Sequence, residues 1–240
     1  MKTPVATSVH PVQLRLPGQA AAPQGPVDPF MMYVMHHAFR RDLTDFAAAV
    51  PVTPLHDAGT WKALARRWDL FSRALHHHHT GEDLELWPVL EERADEAERV
   101  VLQAMDAEHD MIDPLLEKAA AGFAALLENP DEQTRSRLSA VLSEAVTVLD
   151  AHLAHEETDA LAIVQRRMTP QDWADFEAKM QRSNGLREMT KVGPLFLKGL
   201  HGEHLADVNA RIPSALKLIV KLGGPSFRRL DGRAFYYIGA

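Results

Sequence analysis

The spacing His-x-x-x-Glu occurs twice in this chain, at His78 and Glu82 and again at His152 and Glu156. Residues four apart in an α-helix lie one above the other on the same face, so each pair directs an imidazole and a carboxylate to one place. Such a pair supplies half of a transition-metal site. The first pair begins within a run of four histidines, and such a run offers some His-to-Glu spacing by chance. The second pair lies outside any such run, so chance explains it less easily. Because an acidic residue also follows each pair, the repeat indicates one kind of site built twice on helices.

Composition restricts the kind of site this can be. The 240 residues contain no cysteine, which excludes disulfides, iron–sulfur clusters and thiolate-bound zinc and leaves His and carboxylates as metal ligands. The net charge of −7, without a long basic run, argues against nucleic acid as a partner. No apolar run reaches the roughly 18 residues of a membrane span and no secretory signal is visible. We therefore expect a cytoplasmic protein that does not bind membranes.

Hydrophobic periodicity divides the chain into three parts. Residues 1–27 carry five prolines and no periodic pattern, which predicts a flexible or extended N-terminal arm. Residues 28–168 contain four long segments with apolar residues three to four apart and no strand signal between them. This pattern predicts an all-α fold, an antiparallel up-down four-helix bundle. Glycine and proline cut residues 169–240 into short pieces, so we expect a helical C-terminal extension that packs on the bundle or on a partner subunit, as in a homodimer.

Capping residues and prolines place the four long helices. The expected helices run from Asp28 to about Pro51, from about Thr60 to a turn containing Pro88, from about 95 to 128, and from Asp131 to about Met168. Asp28 is the expected cap of the first helix, with Pro29 in its first turn. Pro88 is expected to kink the last turn of the second helix, since it lacks a backbone N–H.

Six polar residues interrupt the inward apolar stripes of these helices: His36, His78, Glu82, His109, His152 and Glu156. His36 and His78 are 42 residues apart, and His109 and His152 are 43 apart, which indicates two similar helix pairs and an internal duplication. Two such pairs about a pseudo-twofold axis would bring four imidazoles and two carboxylates to one level of the core. Each residue alone is also typical of a hydrogen-bonded core position, but two buried carboxylates repel one another. The set therefore predicts a site for bridged metal ions.

The sequence around these residues resembles the haemerythrin-like (HHE cation-binding) family. The resemblance covers roughly residues 28–165 and includes the segments His36-His37-Ala-Phe-Arg-Arg-Asp-Leu43, His78-His79-Thr-Gly-Glu82-Asp83 and Leu86-Trp87-Pro88. It implies a non-haem di-iron centre in which both glutamates bridge the irons, the histidines cap them, and an oxo or hydroxo group completes the bridge. Manganese and zinc also accept such ligands, so the residues do not decide the metal.

One position departs from the family pattern. Haemerythrins proper carry a second histidine on the third helix, four residues before the equivalent of His109, and here that position is Met105, a weak ligand for iron. The resemblance then implies two imidazoles on each iron and open positions on both. Tyr33, one turn before His36, is a candidate sixth ligand or catalytic residue. The other interpretation of Tyr33 is a core aromatic residue whose hydroxyl meets a polar neighbour.

The remaining histidines fall off the inward stripe. Four are predicted to be solvated or to orient the ligands: His76, His77, His79 and His155. His79 and Glu85 are expected to flank the site. Arg40 is a candidate partner of a bridging carboxylate, and the other interpretation of Arg40 is an exposed side chain. His201 and His204 have the spacing of a second metal site but no carboxylate-rich partner, so we expect them in a surface segment.

Three classes of function follow from such a site. The first is reversible binding of a small diatomic ligand or peroxide (O2, NO or H2O2), which is the function we expect. The second is catalysis of a peroxidase, catalase-like, NO-reducing or oxygenase type, favoured by the open positions and by Tyr33. The third is iron or oxygen sensing, in which the C-terminal extension transmits the metal state to a partner. The sequence leaves open whether the chain is a di-iron oxidoreductase.

Overall fold

The computed structural model describes residues 10–183 and 186–239, and this part of the chain is helical without a strand. The all-α prediction is therefore confirmed. Its ten α-helices are α1 (Phe30–Val52), α2 (Ala58–Gly81), α3 (Trp87–Glu91), α4 (Glu96–Glu128), α5 (Glu132–His155), α6 (Leu161–Arg167), α7 (Pro170–Ser183), α8 (Leu186–Leu197), α9 (Gly202–Arg211) and α10 (Ser214–Ala234). None of the described helices combines the length and the apolar content that crossing a membrane requires.

The four long helices α1, α2, α4 and α5 pack around one interior, with α1 and α4 each contacting both α2 and α5. Asp57, Asp95 and Asp131 cap α2, α4 and α5, each accepting a hydrogen bond from the backbone N–H three residues further on. The cap predicted for α1 is wrong. No side chain caps this helix, and Asp28 instead lies 3.4 Å from the guanidinium of Arg211.

Two large apolar clusters occupy the described interior, one towards each end of the long helices. On α1, Tyr33 belongs to the first cluster and Phe39 to the second; on α4, Met105 belongs to the first and Ile112 to the second. The histidines and glutamates singled out in the sequence lie at the level between the two clusters. Polar groups at this level are therefore shielded from water on both sides.

The described part of the N-terminal arm lies on the long helices rather than free in solvent. Residues 10–27 contain no helix, but Leu14 and Val27 are buried. The side-chain amide of Gln165 fixes the end of the arm, because it accepts a hydrogen bond from the Val27 N–H at 3.0 Å and donates one to its carbonyl at 2.9 Å. The arm is thus extended and packed, because its apolar side chains are buried against the bundle. Residues 1–9 lie outside the described part of the chain.

A buried ionic network attaches the C-terminal extension to the long helices of the same chain. The fully buried Arg67 on α2 donates hydrogen bonds to Asp42 on α1 and, at 3.0 Å, to Asp231 on α10. Lys198, which follows α8, lies 3.1 Å from Asp231 and 2.8 Å from Asp45. Of the two locations predicted for the extension, the described residues therefore occupy the one on the bundle. A homodimer stays a prediction.

Candidate metal centre

Four buried side chains converge between the two apolar clusters, and we call them the first donor group: His36, His78, Glu82 and Glu156. Each is at most 2% exposed. The Nε2 atom of His36 lies 3.2 Å from the Nε2 atom of His78 and 3.1 Å from Oε2 of Glu156. The Nε2 atom of His78 lies 3.2 Å from Oε1 of Glu82. Donors from α1, α2 and the end of α5 thus face one point.

Three imidazoles form a second donor group beside the first: His79, His109 and His152. The Nε2 atoms of His109 and His152 lie 3.2 Å apart, and the rings of His79 and His109 stack with centroids 4.0 Å apart. Oε2 of Glu82 lies 3.6 Å from Nε2 of His109, and Oε2 of Glu156 lies 3.9 Å from Nε2 of His152. Both carboxylates therefore lie between the two donor groups.

These distances fit metal ions. When a metal lies about 2.1 Å from each of two donor atoms, those atoms are about 3.0 Å apart if the angle at the metal is a right angle. They are about 3.4 Å apart if the angle is tetrahedral. Within the described residues, the four carboxylate oxygens of Glu82 and Glu156 accept no hydrogen bond, and neither ring nitrogen of His79 has a hydrogen-bond partner. Buried polar atoms are normally paired, so unpaired donor atoms that converge at ligand spacing fit a bound cation.

Burial also sets the charge of the two donor groups. Burial, followed by the charge of Glu156, raises the pKa of Glu82 well above its ordinary value. Burial, followed by the neighbouring imidazoles, lowers the pKa of His78 and of His79 well below the ordinary value. Both imidazoles are therefore neutral, the form that binds metals. A cation between the carboxylates would remove their repulsion and keep both ionised.

Three carboxylates bind the outer ring nitrogens of the donor imidazoles. Each pair joins a carboxylate oxygen to Nδ1: Glu157 with His36 at 3.0 Å, Asp83 with His109 at 2.7 Å and Glu108 with His152 at 2.9 Å. A hydrogen bond to Nδ1 fixes the tautomer and leaves Nε2 free to face a metal. Glu108 also binds Nδ1 of His155 at 2.8 Å. The acidic residues that follow the two His-x-x-x-Glu pairs thus orient imidazoles on other helices.

Glu157 connects the centre to the N-terminal arm. Its carboxylate accepts two hydrogen bonds from Arg40, at 2.6 and 3.1 Å, and one from the backbone N–H of Ala20 at 2.7 Å. Burial alone would lower the pKa of His36, but Glu156 and Glu157 raise it to about 9 in the absence of a cation. Arg40 therefore pairs with an orienting carboxylate, which is neither the bridging carboxylate nor the exposed position considered for it.

Both shared glutamates open a widened, π-helical turn, at Glu82–Leu86 and at Glu156–Ala160. Single π-turns inside helices are frequent at functional sites. The wider turn lets the consecutive residues Glu156 and Glu157 both be fully buried while they approach the two ring nitrogens of His36, Glu156 at Nε2 and Glu157 at Nδ1. The sequence pattern predicts regular helix at both places. Pro88 follows the first turn, and its missing N–H removes one of the bonds that would hold a regular helix there.

The structure brings the six predicted site residues together and adds His79, which the sequence pattern leaves off the inward stripe. His79 is 2% exposed and supplies a third imidazole to the second donor group, whereas Met105 supplies none. The run of four histidines is the sequence signal that could have included it. Glu85 does not flank the site as expected, because it pairs with Lys179 at 2.6 Å. His201 and His204 are exposed, as predicted for a surface segment.

The sequence matches one protein-family model. The model, described as Hemerythrin HHE cation binding domain, covers residues 30–164, which is more than half of the chain and includes both donor groups. The chain belongs to the hemerythrin HHE cation-binding family. No curated protein and no solved structure gives a significant match. Membership of the hemerythrin family means a cation-binding domain, and the buried His and Glu groups are suited to hold that cation.

Replacing His79 with Ala tests the second donor group. We expect metal binding there to weaken by at least about tenfold, because two imidazoles would remain where three converge. Metal per chain, measured by elemental analysis after dialysis against a weak chelator, should fall by about half. The control is His76→Ala, since His76 is exposed and lies outside both groups. Equal metal contents in the two variants would show that His79 is not a ligand.

Proposed function

We propose that this hemerythrin-family protein holds two iron ions, one in each donor group, with a bridging oxo or hydroxo group, and binds O2, NO or H2O2 at one of them. Membership of a cation-binding family and the sharing of Glu82 and Glu156 between the two groups support the proposal. Imidazole and carboxylate are ligands that iron accepts, although manganese and zinc accept them too. Bound iron would supply the electrons for reducing O2 or peroxide, or for binding NO.

The unequal number of imidazoles carries the proposal. The second donor group offers three imidazoles and the first offers two, and both have access to the shared carboxylates. Three imidazoles, two carboxylate oxygens and a bridging oxygen would supply six ligands, whereas the same count with two imidazoles would leave one position for a small molecule. We therefore propose an open position on one metal only, whereas the ligand set without His79 predicts an open position on both.

The surroundings of the first donor group support binding of a small ligand in a dry site. The ring of Phe39 lies 5.3 Å from that of His78, and two leucines are fully buried nearby, Leu75 on α2 and Leu86 at the end of the π-turn that follows it. Apolar walls keep water away from the metal and so slow its irreversible oxidation. Each of the four long helices contacts two of the others, and the connections between them are short. Both features support an antiparallel up-down bundle around this site.

Rapid mixing with O2 tests the proposal. Iron-loaded protein is reduced without air and mixed with O2 while its visible absorption is recorded. An absorption change that reverses when O2 is removed is the expected result for reversible binding. Net consumption of O2, or gas evolved from added peroxide, would instead indicate catalysis. Protein that retains less than one iron per chain after purification would contradict the proposed centre itself.

A second candidate, an oxidoreductase acting on peroxide, O2 or NO, is favoured by Tyr33. This side chain is 1% exposed, and its hydroxyl has no hydrogen-bond partner within the described residues. Burial, followed by the charges of Glu157 and Glu156, raises the pKa of Tyr33, so its hydroxyl stays protonated beside the first donor group. A protonated hydroxyl beside the first donor group could supply a proton to a small ligand there, which is typical of catalysis rather than carriage.

The variant Tyr33→Phe separates the two candidates. If Tyr33 donates a proton in turnover, we expect peroxide consumption to fall by about a hundredfold while iron content is unchanged. Phe176→Leu, a change at a buried aromatic residue of the same apolar cluster, is the packing control. Peroxide turnover that survives Tyr33→Phe would remove Tyr33 from any catalytic role.

A further inference from the structure

A large apolar cavity lies between one part of the long helices and the C-terminal extension. Its volume is about 970 Å³, at the upper end of the roughly 300–1,000 Å³ of sites for small organic ligands. One wall is formed by α1, α2 and α4, and the other by α7, α8 and the start of α10. Five methionines line it: Met31, Met32, Met35, Met180 and Met189. Methionine side chains are flexible and polarizable, so such walls adapt to apolar ligands of different shape.

Polar contacts at two separate places outside the cavity attach the C-terminal extension to the rest of the chain. The buried network around Arg67 and Asp231 fixes α10, and Lys198 fixes the end of α8. The guanidinium of Arg93 binds both carboxylate oxygens of Asp172 at 2.8 and 3.0 Å, which fixes the start of α7. The helices on both sides of the cavity are therefore fixed relative to one another by contacts outside the cavity. An apolar cavity holds water poorly and loses dispersion contacts while it is unfilled, so it favours an apolar occupant.

The charged groups on the cavity wall restrict the class of occupant. Three carboxyl groups line the cavity, those of Asp113, Glu117 and Glu177. Arg73 also lines it, but its guanidinium pairs with Asp69 at 3.0 Å. Burial raises the pKa of Glu177, which shows that this wall disfavours charge. Because the carboxylates outnumber the one guanidinium, and the imidazole of His76 at the same wall lies 3.6 Å from the carboxylate of Asp113, an anionic ligand such as a fatty acid is disfavoured.

We propose that this cavity binds an uncharged, largely apolar organic molecule. The occupant would contact the methionine wall and the side chain of His78, which lines the cavity and also belongs to the first donor group. Phe196 lines it as well and lies 6.1 Å from Phe39, which in turn packs on His78. The proposed binding site is inferred from the shape and the charges of the cavity, and it does not require the proposed iron chemistry.

Dye binding to the purified full-length protein tests this proposal. Nile red, an uncharged dye, should bind with saturable fluorescence at about one molecule per chain, and 1-hexadecanol should displace it. Palmitate has the same chain length but carries a carboxylate, so we expect it to displace the dye at least about tenfold less effectively. Displacement by palmitate as strong as that by 1-hexadecanol would overturn the assignment to an uncharged ligand.

Two neighbouring alanines on α4 provide a matched pair of variants. Ala120 and Ala121 are both exposed, but Ala120 lines the cavity and Ala121 does not. Ala120→Trp should weaken Nile red binding by about tenfold or more, because the indole occupies ligand space, while Ala121→Trp should change it by less than about twofold. Ala74→Phe fills the cavity from α2 and repeats the test if Ala120→Trp does not fold.

Three further results would overturn the proposal. The first is the absence of saturable dye binding, and the second is wild-type affinity in both cavity-filling variants. The third is one dye per two chains together with a dimer in size-exclusion chromatography, which would assign the cavity to a subunit interface. Iron content measured on the same samples keeps the two proposals distinguishable. Dye binding by protein that fails to hold iron would contradict the proposed function alone.

Discussion

Replacing Glu156 with Gln is expected to lower the metal content of the purified protein from about two ions per chain to one or fewer. Glu156 lies 3.1 Å from His36 and 3.9 Å from His152, so its loss affects both donor groups. An amide carries no charge and cannot bridge two cations as a carboxylate does. Elemental analysis checks the stoichiometry. Glu144→Gln is the control, because Glu144 is an exposed residue of the same helix. Unchanged metal content in Glu156→Gln would disprove the shared position of this residue.

The stability of metal-free protein gives a second readout of the same centre. Burial raises the pKa of Glu82, so the folded protein binds a proton there more tightly than the unfolded chain does. The stability that this proton contributes is full below the unfolded-state pKa of about 4.5. It is lost as pH rises through the folded-state pKa. Glu82→Gln cannot ionise and avoids that loss. We therefore expect metal-free Glu82→Gln to be more stable than the metal-free wild type at neutral pH, by an amount that shrinks on acidification. Metal should reverse the order. Urea unfolding at several pH values checks both.

Replacing Arg67 with Ala is expected to lower the free energy of unfolding by about 3–5 kcal/mol, the usual cost of breaking a buried ion pair from one side. The side chain is fully buried, and its removal leaves Asp42 and Asp231 without their shared partner. The guanidinium also lies 4.9 Å from the Phe227 ring, so α10 loses packing as well. Urea denaturation followed by circular dichroism measures the effect. Arg66→Ala, an exposed neighbour on the same helix, should change stability by less than about 0.5 kcal/mol.

The effect of Arg67→Ala should depend on pH. Burial alone would raise the pKa of Asp42, but Arg67, Arg41 and Lys198 together lower it below its ordinary value of 3.8. A carboxyl with a lowered pKa in the folded state contributes stability above its unfolded-state pKa, and this stability is lost as pH falls through the folded-state value. The difference between wild type and variant should therefore be full at neutral pH and diminish below about pH 3.8. A difference that persists unchanged in acid would assign the effect to packing alone.

Local features of the chain could be predicted because they depend on one helix at a time. The i, i+4 spacing of His78 and Glu82 determines that both side chains share a face, whatever the helix packs against. The aspartate caps of α2, α4 and α5 are equally local, since each bond spans three residues. The all-α class follows from the same periodicity. The cap expected at Asp28 failed because α1 begins at Phe30, so that Pro29 occupies the cap position and Asp28 lies one residue before it.

Sequence alone thus determined the helical class from periodicity, the family from the segments around the two His-x-x-x-Glu motifs, and the six residues predicted to face the centre. Only the tertiary structure decided that His79 completes a second donor group, that Glu108 orients His152, and that a cavity lies behind His78. Periodicity reports the direction of a side chain relative to its own helix. The partner of that side chain depends on how neighbouring helices are rotated, and here on a π-turn that brings two consecutive carboxylates to the two ring nitrogens of His36.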